Sequence, residues 1–249
     1  MHIWRHAALL VLISAALAGC ASTRTDTKHW TAEQYYKAGE QALKDSNYTR
    51  ALNMFEALRG HYPFGQLARQ AQLETIYVYY KQNEPKSTVE AAQRFIKENP
   101  LSPEVAYAYY MQGLANFNAH TGIMDRLFPV DPSRVDVAPL KESFAAFKTL
   151  VEKYPHSRYA PDARRRMIFL RNELAQHQLY VASYYMKRGA YVAVINRCKL
   201  VLQDYPGAQA TPRALRMMIA AYDKLGMHEL AEQTRKVLVL NTPGDHARH

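Results

Sequence analysis

Two cysteines, ten histidines and a few clusters of cations are the side chains of this 249-residue chain best suited to chemistry. Cys20 closes the string Leu17-Ala18-Gly19-Cys20, which resembles a bacterial lipobox. In that motif the thiol takes a diacylglyceryl group, the small residues before it admit the peptidase, and cleavage after Gly19 frees an amine that is acylated in turn. Each buried methylene contributes about 0.8 kcal/mol and two or more chains anchor stably, so a lipidated Cys20 would hold the protein to a bilayer. An ordinary leader with an incidental cysteine is the competing reading. Ala21 stands where aspartate is the usual inner-membrane retention signal of enterobacterial lipoproteins, which favours the outer membrane. Cys198 is then a lone thiol, and it falls within an apolar helical pattern that points to burial rather than reactivity.

Catalysis finds little to stand on. There is no phosphate loop and no dinucleotide fingerprint. His228-Glu229 lacks the second histidine four residues after the first that a zinc-protease helix needs. No histidine pairs with Cys198 in a nucleophile motif, and although the members of a triad need not be adjacent in sequence, the chain reads as no enzyme, with no metal and no cofactor. The net charge of +10 bears on partners. Loss of the leader would take one arginine and leave about +9, which suits an anionic membrane surface or an acidic protein; no nucleic-acid motif appears. Arg164-Arg165-Arg166 looks like a patch, but successive helical residues turn by about 100° and splay the three apart. Lys187-Arg188 and Arg197 flank the turn Gly189-Ala190-Tyr191 and are expected near one edge.

Those groups need elements to carry them. Met1–His6 holds one arginine, and Ala7–Leu17 is an eleven-residue apolar run broken only by Ser14. A membrane span needs roughly 20 apolar residues, so residues 1–19 read as a signal peptide. Residues 20–31 read as a lipidated tether, about 18 Å long as a coil. Residues 32–249 form the remaining domain. Ten glycines in the whole chain argue against a turn-rich β-fold.

That domain repeats. Tyr62-Pro63, Asn99-Pro100, Tyr154-Pro155, Tyr205-Pro206 and Thr242-Pro243 punctuate it at proline intervals of 37, 55, 51 and 37. The first unit fits the tetratricopeptide pattern: Tyr35 at the aromatic position, Ala38-Gly39 and Ala42 at close contacts, Ala51, Phe55 and Leu58 on the second helix, Pro63 at its end. Thr88, Ala92 and Phe95 repeat the second-helix set, as do Ser143, Phe147 and Leu150, then Val194, Cys198 and Val201, then Ala231 and Leu238. Apolar residues recur at three- and four-residue spacing without alternation. The fold class is all-α, a superhelical solenoid of about five tetratricopeptide-like helix-turn-helix repeats. Tyr77, Tyr79 and Tyr80, with Tyr107, Tyr109 and Tyr110, suggest a ligand box less than they suggest packing between repeats.

Thirty residues separate Gly113 from Ser143, against twelve between Gly39 and Ala51. The excess lies near 118–139, where Pro129, Pro132 and Pro139 discourage a continuous helix. Long loops in compact folds are commonly functional. Apolar Ile123, Met124, Leu127 and Phe128 beside Asp125, Arg126, Asp131, Arg134 and Asp136 leave two readings open: a fold-back held by ion pairs, or a partner-docking loop.

Tyr62-Pro63-Phe64-Gly65, Gln70 to Lys81, Tyr110-Met111-Gln112-Gly113-Leu114, and Arg188-Gly189-Ala190-Tyr191-Val192-Ala193 running into Asn196-Arg197 are strings that a generic repeat does not need. Through them nearly all of the mature chain resembles the BamD (ComL) family, lipoproteins of the β-barrel assembly machinery of Gram-negative outer membranes. The resemblance implies a periplasmic scaffold and substrate receptor, anchored by lipid at Cys20. Its N-terminal repeats would hold a pocket for the C-terminal targeting signal of unfolded barrel proteins, with Tyr35, Tyr62, Phe64 and Tyr77 as candidate lining. Its C-terminal repeats would dock on the last periplasmic domain of BamA through Arg197, with Arg188 a second candidate, beside other lipoproteins of the machinery. Relatives often carry an adjacent Arg-Asp pair in the insertion, whereas this chain reads Arg134-Val135-Asp136, so no contact is carried over there. Another repeat lipoprotein, such as a pilotin for a type IV pilus secretin, is the alternative.

Overall fold

The computed structural model describes residues 29–120 and 136–241. Ten helices account for them: α1 (Ala32–Lys44), α2 (Tyr48–His61), α3 (Gln66–Lys81), α4 (Pro85–Glu98), α5 (Val105–His120), α6 (Ala138–Lys153), α7 (Ala160–Lys187), α8 (Tyr191–Asp204), α9 (Thr211–Lys224) and α10 (His228–Asn241). Among the described residues there is no strand. Each helix packs on the next along the chain. In addition α1 meets α3, α3 meets α5 and α7 meets α9, while even-numbered helices make no comparable contact with one another. The odd-numbered helices therefore form the tighter inner surface of a curved array, and the even-numbered ones its outer surface.

The proline register expected from the sequence is a packing register. Twelve residues before each turn proline stand Ala51, Thr88, Ser143, Val194 and Ala231, every one of them 0% exposed. Four residues further on come Phe55, Ala92, Phe147 and Cys198, also 0% exposed, so large and small side chains alternate from repeat to repeat. Each phenylalanine has a glycine opposite. A Cβ on Gly39 would fall 2.5 Å from the Phe55 ring, and one on Gly113 would fall 2.3 Å from Phe147. The Ser143 hydroxyl donates to the Gly113 carbonyl at 2.8 Å, closing the same contact. In the last repeat this position is Arg235, which pairs with Asp223 at 2.6 Å and with Glu232. No further helix follows it among the described residues, and terminal repeats carry a polar outer face.

Two proline intervals exceed 37, and the structure separates their causes. The first excess is the insertion between α5 and α6, but its ends lie inside the 118–139 expected. Helix α5 continues through Asn118, whose amide donates to the Tyr80 hydroxyl at 2.8 Å. Pro139 sits in the first turn of α6 and does not break it; proline there gives up only an amide that has no helical partner. Residues 121–135 lie outside the described residues. The second excess is helix α7, 28 residues long against 14 for α9.

The core is divided. Tyr35, Phe55, Leu58, Ala71 and Val78 belong to a small cluster within α1–α3. Ile76, also on α3, belongs to a larger one that runs on to Ala231. At the N-terminus a capping box starts α1: the Thr31 hydroxyl accepts from the Gln34 amide at 3.3 Å, and the Gln34 side chain accepts from the Thr31 amide at 2.7 Å.

Candidate functional site

Aromatic side chains concentrate on the inner surface of the first repeats. Glu74 on α3 is half-buried, and its charge reaches Tyr36 on α1 and Tyr107 on α5; Tyr77 on α3 also influences Tyr107. Burial, then the nearby charge of Glu40, holds the Glu74 carboxyl above the usual carboxylate range. Burial and the same two acids push the Tyr36 hydroxyl up to about 12. Burial raises Tyr107 as well, with Glu74 adding to it. The Tyr36 and Tyr107 hydroxyls stay protonated and able to donate at neutral pH. The surface therefore offers flat rings, hydroxyl donors and an acid that loses its charge unusually easily. Such groups can stack on and hydrogen-bond to an extended segment.

The four expected pocket residues do not come together. Tyr77 lies on this inner surface, 36% exposed. Tyr35 does not line a pocket: it is 1% exposed, 5.5 Å from the His61 ring in a stack and 5.4 Å from Trp30. As the aromatic position of the repeat pattern it fills the small core. The Tyr62 hydroxyl donates to the Trp30 carbonyl at 2.9 Å and ties the start of the array to the α2–α3 turn. Phe64 stands at that turn, 90% exposed. Tyr36 and Glu74 were not legible in the sequence, because nothing in a single chain distinguishes an inner-face acid from any other helical one.

Tyr109 and Tyr110 pack between repeats, and Tyr107 reaches from the inner surface into the same cluster. Tyr110 stacks 4.9 Å from Tyr159, Tyr107 lies 5.7 Å from it, and Tyr109 lies 6.3 Å from Tyr154. The Tyr110 hydroxyl donates to Asp162 at 2.8 Å. Burial alone would raise the Asp162 carboxyl, but hydrogen bonds from Arg166, Tyr110 and Arg165 outweigh it and bring its pKa down to about 2. The arginine triplet does not splay apart as expected, because two of its three side chains converge on one acid. Arg165 and Arg166 hold Asp162 at 3.0 and 2.6 Å, Arg166 lies 4.8 Å over the Phe117 ring, and Arg164 donates to the Pro155 carbonyl at 3.3 Å.

At the other end, Arg188 closes α7 with its guanidinium 4.7 Å over the exposed Tyr184 ring. Arg197 is half-buried on α8 and donates to Gln178 at 3.3 Å. Six residues along a helix is about 9 Å, so Arg197 sits well up α8 from the turn that Arg188 flanks. Cys198 beside it is fully buried, and burial pushes its thiol up to about 12. Cys20 lies outside the described residues. Among the described residues no group of three or more His, Cys, Asp and Glu could hold a metal, and no helix is long and apolar enough to cross a membrane.

Comparison with known proteins agrees along the chain. Residues 28–238 match the YfiO family, described as outer membrane lipoprotein. Outer membrane protein assembly factor BamD of Neisseria meningitidis serogroup A is 38% identical over 94% of this chain and 90% of its own. The factor of the same name from Vibrio cholerae is 35% identical over 93% of this chain and 96% of its own. These relatives do not favour the pilotin alternative. Among solved structures, that of MamA protein is similar with a TM-score of 0.37 at 15% identity, over 88% of this chain and 95% of that one.

Proposed function

The chain belongs to the YfiO family of outer membrane lipoproteins, and from that premise we propose a non-catalytic scaffold that receives unfolded barrel proteins and docks on BamA. The observation that carries this reading is the 38% identity, over 94% of the chain, to an outer membrane protein assembly factor. The protein is itself such a factor, held by lipid at the outer membrane, with Cys20 as the residue we assign to the anchor. The inner surface around Tyr36, Tyr77 and Tyr107 is the substrate-receiving part. Its rings are already in place, so an extended segment with an aromatic end would bind without ordering the receptor first. Glu74 faces that surface, which would set the terminal carboxylate of such a segment away from it. Arg197 is the anchor point for BamA: it is half-buried, held by Gln178, and positioned by α8 rather than by a loop. Arg188 supplies a second cation at the neighbouring turn.

The test is a pull-down of the lipidated protein from gently solubilised outer membranes. BamA is expected in near-stoichiometric amounts, and recovery of a pilus secretin without BamA would overturn the reading. Arg197→Glu is expected to weaken BamA binding about tenfold, roughly 1.4 kcal/mol, with an unchanged circular dichroism spectrum. Binding at the wild-type level would remove Arg197 from the interface.

A further inference from the structure

We propose that Phe64 and Leu101 form a membrane-docking edge that lays the first two repeats against the phospholipid surface carrying the lipid anchor. The inference rests on the reading of Cys20 as that anchor.

Each repeat turns just after its proline, and the next residue stands at the tip. In the four described turns these residues are Phe64, Leu101, His156 and Gly207. The architecture therefore requires no apolar side chain there. Yet the two tips nearest the tether carry large apolar groups that are 90% and 97% exposed, the highest values among the large apolar residues described. Gly65, the residue after Phe64, has φ +104°, a conformation that L side chains rarely adopt, so the turn that carries Phe64 calls for glycine there. The two tips border adjoining depressions of about 470 Å³ each, which share Arg69, Glu98 and Asn99. Arg69 is exposed between them.

The chain's own geometry brings this edge to a bilayer. Trp30 sits beside the Phe64 turn, because its carbonyl accepts from Tyr62 at 2.9 Å. Ten residues join Cys20 to Trp30 and can extend by at most about 35 Å. Lipid at Cys20 would keep Trp30, and with it the adjoining Phe64 turn, within about that distance of the membrane. Trp and Tyr favour the headgroup level, and an arginine among apolar tips suits anionic phospholipid. A bilayer, rather than a folded partner, fits two isolated tips separated by polar groups.

The mature chain offers its own probe, since Trp4 leaves with the signal peptide and Trp30 is the only other tryptophan. The lipidated protein is reconstituted in phosphatidylethanolamine–phosphatidylglycerol vesicles with brominated acyl chains, recovered by flotation, and its Trp30 emission compared with that in unbrominated vesicles. At least twofold quenching is expected. A Phe64→Glu, Leu101→Glu variant, altered only at exposed positions, should float equally well and lose most of the quenching. Unquenched Trp30 in floated wild-type protein overturns the proposal, and so does equal quenching in the variant, which would assign proximity to the tether alone. Loss of binding to an unfolded barrel protein in the variant, with wild-type Trp30 unquenched, would assign the edge to a polypeptide instead. A wild-type chain that fails to float refutes the anchor at Cys20 and the docking edge with it, whereas a floated, unquenched chain refutes the edge alone.

Discussion

Gly113 leaves less room for a side chain than any other described glycine, since a Cβ there would lie 2.3 Å from the Phe147 ring. Gly113→Ala is therefore expected to cost about 2–3 kcal/mol in urea unfolding, the usual scale of overpacking, and Phe147→Leu in the same chain should restore part of it. The pairing was legible as a repeat register, because Gly39 and Phe55 hold the same positions in the first unit. Asp162 gives a pH prediction. Its carboxyl falls from an ordinary 3.8 to about 2 in the folded protein, so its stabilisation is present in full above about pH 4 and lost as pH falls through 2. Asp162→Asn should lower the thermal midpoint most near pH 7, and the gap to wild type should close on acidification toward pH 2. A gap that persists at pH 2 would remove ionisation as its cause. No sequence pattern announced this cluster. Asp162 gathers Tyr110 from 52 residues away, and such a meeting is fixed by how two helices cross.

Helices were legible where small residues and prolines mark close approach and chain reversal, and less so where length alone varies. The interval between Pro155 and Pro206 carried the excess that became α7, but a proline count does not say which helix has grown. Pro139 misled for a related reason: a proline ends one helix and opens another equally well, and only the neighbouring contacts decide between them. The boundary between the two cores also runs through an element, with Ile76 and Val78 of α3 on opposite sides of it. Helices α1–α3 share a small core of their own and should open as a unit below the global transition. Phe55→Ala, which empties the centre of that core, is expected to cost about 3–5 kcal/mol locally. Hydrogen exchange should speed up through α1–α3 while α7–α9 keep their wild-type protection. Uniform acceleration along all ten helices would show one cooperative unit instead.

For the whole molecule, charge and the leader pointed to a membrane-bound binding protein, and the distinctive strings pointed to its family. The placing of Tyr35 in a pocket failed because the repeat pattern that identifies the residue is a pattern of burial. Geometry separates the two surfaces we propose as sites: the aromatic inner faces of α1, α3 and α5 at one end, and Arg188 and Arg197 at the end of α7 and on α8 at the other. Between them runs α7, with no glycine and with its single proline in the first turn. At 1.5 Å per residue it is about 42 Å long, and it acts on the two halves as a keyed shaft acts on two gears. Seven residues added near its middle would part the halves by about 10 Å yet return them within about 20° of their original phase. Five would turn one against the other by about 140°. Barrel assembly should therefore survive the longer insertion better than the shorter one, in complementation of a depleted strain, because what α7 conserves is less a distance than an angle.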